Sequence, residues 1–215
     1  MQDINISSYP INKMNPYQDS CGKINNFFTV EQLDHIVSVF RKLDPVDGSN
    51  NDCFGIDKKH KAYLWFNKVV LSSIANKFNP NLKLIFAMLL DCVEPFDIHH
   101  DLKEIPESGG KHFLSFLIPY SVNEDKKLCS KASTLIFNEH TPAEYNIENN
   151  VSNLYDNTIS HVSKEKTYKI TLKENLTWDL GSLCWWDSKL LHVSNNFLKD
   201  GHKSKQAIII HTYVL

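Results

Sequence analysis

At Asn79-Pro80-Asn81 the chain changes texture. Before this point apolar residues recur three and four positions apart, the spacing of an amphipathic helix. After it they come in short dense runs rich in β-branched and aromatic residues, separated by polar and turn-forming segments. Helices first and strands afterwards exclude the alternating βαβ order of a doubly wound sheet. They predict an α+β domain in which antiparallel strands form a sandwich or jelly-roll barrel, backed by N-terminal supporting helices.

The helical part is specific. Thr29-Val30-Glu31-Gln32 has the form of a capping box, with Thr29 as N-cap and Gln32 reaching back. Val30, Leu33, Ile36, Val37, Phe40 and Leu43 follow at helical spacing, predicting a helix over 30–43. A second helix is predicted over 63–78, with Phe66, Val70, Leu71, Ile74 and Phe78 on one face and Trp65 and Phe66 as core. Residues 1–28 read as an Asn-rich extended lead-in anchored by Phe27 and Phe28, and 45–60 as loop. The region 1–81 is thus a lead-in with helices, and 82–215 a jelly-roll core, within a single domain.

Seven or eight short strands are expected beyond residue 81. They include Leu82 to Val93, His112 to Val122, Ala132 to Asn138, Tyr168 to Leu172, Ser182 to Trp186 and Lys205 to Val214. The polar segment 139–165 is long for a compact domain and reads as an insertion or lid.

The chemistry-bearing stretch is Phe96-Asp97-Ile98-His99-His100-Asp101, directly after the first strand. In extended backbone, residues two apart point to the same side. His99 and Asp101 therefore converge, while His100 points away. With one distant histidine they make a two-histidine, one-carboxylate facial triad, a donor set suited to non-haem Fe(II). His192, in Trp185-Trp186-Asp187-Ser188-Lys189-Leu190-Leu191-His192, supplies that third ligand. Asp187 and Ser188 shape the turn before it. Of Trp185 and Trp186, adjacent and so on opposite faces, one faces the core and the other packs under the helices.

His99-x-Asp101, about ninety residues of strands, His192, and a basic residue opening the last strand resemble the Fe(II)- and 2-oxoglutarate-dependent dioxygenase superfamily over residues 82–215. Trp178-Asp179-Leu180-Gly181, Trp186-Asp187-Ser188 and His192-Val193-Ser194-Asn195-Asn196-Phe197 are similar to oxygenase-like proteins of marine phage and bacterial genomes. The resemblance implies a double-stranded β-helix, a cupin-like barrel. It implies Fe(II) on His99, Asp101 and His192, with 2-oxoglutarate and O2 as cosubstrates. It also implies a cation for the far carboxylate of 2-oxoglutarate, for which Lys203 and Lys205 are the candidates. Lys205 is preferred, because Lys205-x-Ala207 followed by alternating apolar residues matches the family's last strand better. His211, mid-strand on the same face, is a hydrogen-bonded barrel histidine first and a contact to 2-oxoglutarate or substrate second. The implied reaction hydroxylates an unactivated C–H of a small molecule or peptide side chain and releases succinate and CO2.

Two other readings stay open: a cupin-type iron dioxygenase without 2-oxoglutarate, and a non-enzymatic jelly-roll module that binds a ligand such as a sugar. Only the 2-oxoglutarate-dependent reading needs the cation at Lys203 or Lys205. The formal charge of -2 gives no basic field, so nucleic acid is not an expected partner. The five cysteines are widely spaced without a CxxC pair, so free thiols are expected. Neither a secretory leader nor a membrane-spanning run is expected, and a cytoplasmic location is expected. His112, His140, His161 and His202 lie in polar contexts and are expected at the surface.

Overall fold

The computed structural model describes residues 20–43, 52–101, 112–138, 158–163 and 170–215. Its strands are β1 (Cys21–Ile24), β2 (Asp52–Asp57), β3 (Leu82–Cys92), β4 (His112–Val122), β5 (Ser133–Phe137), β6 (Leu172–Thr177), β7 (Leu183–Asp187), β8 (His192–Ser194) and β9 (Lys205–Val214). They form two sheets. The larger has the order β1-β7-β4-β9-β3-β2 and the smaller β6-β5-β8. Every pairing in both sheets is antiparallel. The two sheets face each other as a double-stranded β-helix.

Helix α1 (Val30–Phe40) starts at the capping box its sequence announces. Gln32 N–H donates to Thr29 Oγ1 at 3.2 Å, and Thr29 N–H donates to Gln32 Oε1 at 2.8 Å. Leu33, Ile36, Val37 and Phe40 are buried, whereas Val30 at the helix start is exposed. The second predicted helix is a continuous run of three parts: α2 (Tyr63–Phe66), a π-helical turn (Asn67–Leu71) and α3 (Ser72–Lys77). Phe66, Val70, Ile74 and Phe78 are four apart, a spacing that drifts around a regular helix of 3.6 residues per turn. The wider π turn offsets that drift, and all four are buried on the same core.

Alternation along the strands divides the interior. Leu114, Phe116, Ile118, Leu183, Trp185, Ile208 and Ile210 face the helices. There Phe78 meets Phe116 and Trp185 edge-on, at centroid distances of 5.0 and 5.4 Å. Leu117, Cys184, Trp186 and Ala207 face the barrel interior with Ile136, Leu176 and Trp178 from the smaller sheet. A third cluster, including Leu135, Phe137 and Val193, covers the outside of the smaller sheet with Ile159 and Val162. Both faces of the central strands are therefore covered, and β4 and β9 carry almost unbroken apolar runs. No helix among the described residues is long and apolar enough to cross a membrane.

Two expectations are corrected. The region read as lead-in and loop contributes β1 and β2, which close the two edges of the larger sheet. Both are poor in β-formers, and their pairing with β7 and β3 outweighs that. Of the strand expected over Tyr168 to Leu172, residues 168–169 lie outside the described residues, Ile170 and Thr171 are not strand, and β6 runs from Leu172 to Thr177, set by its ladder with β5. Within 139–165, residues 158–163 pack on the smaller sheet. The lid reading of 139–157 and 164–165 lies outside the described residues, as does His140.

Candidate metal centre and its cavity

The segment after β3 crosses from the larger sheet to the smaller one and runs beside β8. His99 N–H donates to the His192 carbonyl at 3.0 Å, and His192 N–H to the His99 carbonyl at 2.8 Å. The two histidines are thus a directly opposed antiparallel pair, whose side chains leave the sheet on one face. Their rings lie 4.2 Å apart between centroids. Alternation puts Ile98 on the other face, partly buried in the outer cluster. Asp101 returns to the inner face, its N–H donating to the Ser188 carbonyl at 3.1 Å. The turn that presents Ser188 is held by Asp187, whose Oδ1 accepts from Lys189 N–H at 2.9 Å.

His99, Asp101 and His192 bring one donor atom each within 4.8 Å of one another. Asp101 Oδ1 lies 3.4 Å from His192 Nε2 and 3.8 Å from His99 Nε2. The opposite ring nitrogens are engaged elsewhere. His99 Nδ1 is 2.7 Å from the Asp97 carbonyl, and His192 Nδ1 is 3.1 Å from the Leu190 carbonyl. A carbonyl only accepts, so both Nδ1 atoms carry a proton and both Nε2 atoms face Asp101, free to present a lone pair whenever the ring is neutral. This is the tautomer that a metal ion requires, fixed by the backbone.

Asp101 is held further. Trp186 Nε1–H donates to its Oδ2 at 3.0 Å. His211 Nδ1 lies 3.9 Å from the same oxygen and 3.2 Å from Ser115 Oγ, which also meets Ser188 Oγ at 2.8 Å. Burial disfavours the Asp101 carboxylate, but the His192 charge and hydrogen bond outweigh it and hold the group well below the usual range. His99 is pushed down to about 4 by desolvation and by His192, against the pull of Asp101. Burial pushes His192 down, but Asp101 outweighs it and raises it above an ordinary imidazole. A carboxylate and a neutral His99 are ligands ready to bind, and one proton on His192 competes with a cation.

The three donors line a cavity of about 280 Å³ between the sheets. Lys205, Ala207, Ile209 and His211, the alternate residues of β9, all open into it, as their spacing predicts. Lys205 is 2 % exposed, and its Nζ donates to Ser194 Oγ at 2.5 Å. The amine sits 4.2 Å from the Trp178 ring centroid and 5.4 Å from that of Phe197. Among the described residues no carboxylate pairs with it. Burial pushes it down to about 8, partly opposed by Cys92 and Cys129. Lys203 precedes the strand, is exposed and does not line the cavity; its N–H donates to Asn123 Oδ1 at 2.6 Å. Cys53, Met88, Leu90 and Phe96 contribute apolar surface to the remaining wall, and Thr134 a hydroxyl.

Sequence reasoning placed the triad, Lys205 and His211 in one cavity but missed Trp186, Ser115 and Ser194. Strand parity does put Trp186 on the barrel face; nothing in the sequence names Asp101 as its partner. Trp185 takes the other side, under the helices. Of the histidines expected at the surface, His112 is exposed and His202 partly so. His161 is half-buried, and its Nε2–H donates to the Phe96 carbonyl at 3.0 Å, tying 158–163 to the segment that carries His99.

No protein-family model matches the sequence, and no curated protein matches it significantly. Solved structures do match in shape. The non-haem α-ketoglutarate-dependent epimerase SnoN from nogalamycin biosynthesis superposes with a TM-score of 0.61 at 12% identity, over 93% of this chain and 80% of that one. An oxidoreductase of the 2OG-Fe(II) oxygenase family from Burkholderia pseudomallei gives 0.54 at 8% identity, over 95% and 93%. HygX from Streptomyces hygroscopicus, with nickel, 2-oxoglutarate and hygromycin B bound, gives 0.51 at 12% identity, over 92% and 85%. The chain has the double-stranded β-helix fold found in Fe(II)- and 2-oxoglutarate-dependent oxygenases.

Proposed function

We propose that the protein is an Fe(II)- and 2-oxoglutarate-dependent oxygenase that hydroxylates an unactivated C–H of a small molecule or peptide side chain. One observation carries the reading: a two-histidine, one-carboxylate donor set and a buried lysine with no acidic partner among the described residues share one cavity. His99, Asp101 and His192 would hold the iron, and their donor atoms and tautomers suit a divalent ion with positions left open. Lys205 would hold the far carboxylate of 2-oxoglutarate. A charged amine buried among Trp178, Phe197 and Ser194 is costly alone and is matched by an anion of that kind. When bound, iron and 2-oxoglutarate supply activation of O2, with 2-oxoglutarate leaving as succinate and CO2.

The chain's own residues then bind, orient and exclude water. Ser194 aims the Lys205 amine, and Trp178 and Phe197 keep it dry, which strengthens its pairing with a carboxylate. His211 faces the same space from the metal end of β9 and would orient 2-oxoglutarate or substrate. Lys203, exposed outside the cavity, has no part. The buried Lys205 favours this reading over a cupin-type dioxygenase without 2-oxoglutarate, which has no use for a cation there.

The test is anaerobic addition of Fe(II) and then 2-oxoglutarate, watching for the weak visible charge-transfer band of the chelated cosubstrate. The band is expected in the wild-type protein, absent in His192→Ala, and in Lys205→Ala to need far more 2-oxoglutarate. Bound iron with no band would overturn the 2-oxoglutarate assignment.

A further inference from the structure

The two oxygens of Asp101 have different neighbours. Oδ1 faces both histidine Nε2 atoms, at 3.4 and 3.8 Å. Oδ2 is taken by the indole N–H of Trp186 at 3.0 Å. His211 Nδ1, at 3.9 Å, is beyond hydrogen-bond reach of Oδ2 and is occupied by Ser115. Trp186 cannot turn away. It is 1 % exposed, lies in the middle of the β7–β4 ladder opposite Ser115, and its ring sits 4.9 Å from that of His192. An indole N–H donates and cannot accept, so the bond always draws on the carboxylate.

We propose that Trp186 is a positioning residue that restricts Asp101 to binding a metal through one oxygen only. The inference rests on the iron reading above. A carboxylate free to rotate can chelate a divalent ion with both oxygens and so fill an extra coordination position. With Oδ2 held by the indole, that position stays open for the cosubstrate. In this role Trp186 acts through Asp101.

The test uses Co(II), whose visible absorption reports coordination number, in wild-type protein and in Trp186→Phe, which keeps an aromatic ring and removes the N–H. In the wild-type protein, Co(II) gives a defined spectrum that 2-oxoglutarate shifts. In Trp186→Phe, Co(II) still binds, its spectrum is altered before any 2-oxoglutarate is added, and the Kd for 2-oxoglutarate rises roughly tenfold or more. Weaker binding of both ligands with an unchanged Co(II) spectrum is loss of packing alone and would overturn the inference. An unaltered spectrum with a 2-oxoglutarate Kd within about twofold of wild type would overturn the inference and leave the iron reading standing. No Co(II) binding by the wild-type protein would overturn both.

Should Trp186→Phe not fold, the bond is read in the wild-type background by labelling the four tryptophans with 15N. With both proteins metal-free, the indole N–H of Trp186 is slow to exchange with solvent and becomes fast in Asp101→Ala, while that of Trp178, bonded to Thr134, stays slow. Unchanged exchange of all indole protons in Asp101→Ala would overturn the proposal.

Discussion

At the residue scale, Lys205 combines the largest cost with the clearest use. Its amine is pushed down to about 8 from 10.5 by burial. Between those values the unfolded chain binds more protons than the folded one, so stability rises with pH across that window. Below pH 8 the whole penalty is present, on the order of 3 kcal/mol. Lys205→Met should therefore make the ligand-free protein more stable by roughly 2 kcal/mol in urea unfolding at neutral pH. The same substitution should weaken 2-oxoglutarate binding about 10- to 100-fold, the worth of a charge-assisted hydrogen bond. A variant both less stable and unimpaired in binding would contradict the role. The pH dependence follows from the same group. Only the protonated amine pairs with a carboxylate. The Kd for 2-oxoglutarate should stay flat up to about pH 8 and then climb toward about tenfold per pH unit. Lys205→Arg keeps its charge at any accessible pH and should flatten that rise. The pairing of His99 with Asp101 was legible in the sequence because strand parity dictates it. The Trp186 bond to Asp101 was not, because it joins residues 85 apart whose register only the folded sheets define.

At the element scale, the joints between helices and sheets decide how well sequence patterns read through. Helix α1 and strands β3, β4 and β9 carry capping and periodic signals that local chemistry reads directly. Strands β1 and β2 hold no such signal, since each exists through its ladder partner. The joint between helix α1 and the barrel is Gly181. Its carbonyl accepts from Phe27 N–H at 2.7 Å and Phe28 N–H at 2.9 Å, just ahead of the Thr29 cap. Its φ is +79°, and a Cβ there would lie 2.3 Å from the Phe28 carbonyl oxygen. Gly181→Ala must break this joint and should cost about 3 kcal/mol or more in urea unfolding. Gly201 shares the backbone conformation, with φ of +81°, but a Cβ there meets nothing within 4 Å. Gly201→Ala should cost only the left-handed penalty of about 1 kcal/mol. Equal losses in the two variants would show that backbone strain, not the contact with Phe28, sets the value.

At the scale of the whole molecule, a metal ion held by the triad would couple the two sheets. Asp101 and His99 lie on the segment crossing from the larger sheet, and His192 lies on the smaller one. A divalent ion spanning them is absent from the unfolded chain, so its binding adds to folding stability. At free metal 100 times Kd the gain is about 2.7 kcal/mol, worth several degrees in Tm for a chain of this size. Its dependence on pH discriminates between the ligands. His99, down at about 4, is already neutral near pH 7 and releases nothing. His192, raised above 6.5 by Asp101, must lose its proton to bind metal. In the metal-free fold, that proton contributes stability fully present below 6.5 and lost as pH rises through the raised value. The metal acts in the opposite sense: its contribution grows as pH rises through the same window and then levels off. Calorimetric titration of Zn(II) in buffers of different ionisation enthalpy should show proton release that approaches one below pH 6.5 and falls as pH rises through the raised value, and none in His192→Ala, which binds metal far more weakly. Release of two protons in that window would mean that His99 is also protonated, and that the Nδ1 bond to Asp97 does not hold its Nε2 free for the metal.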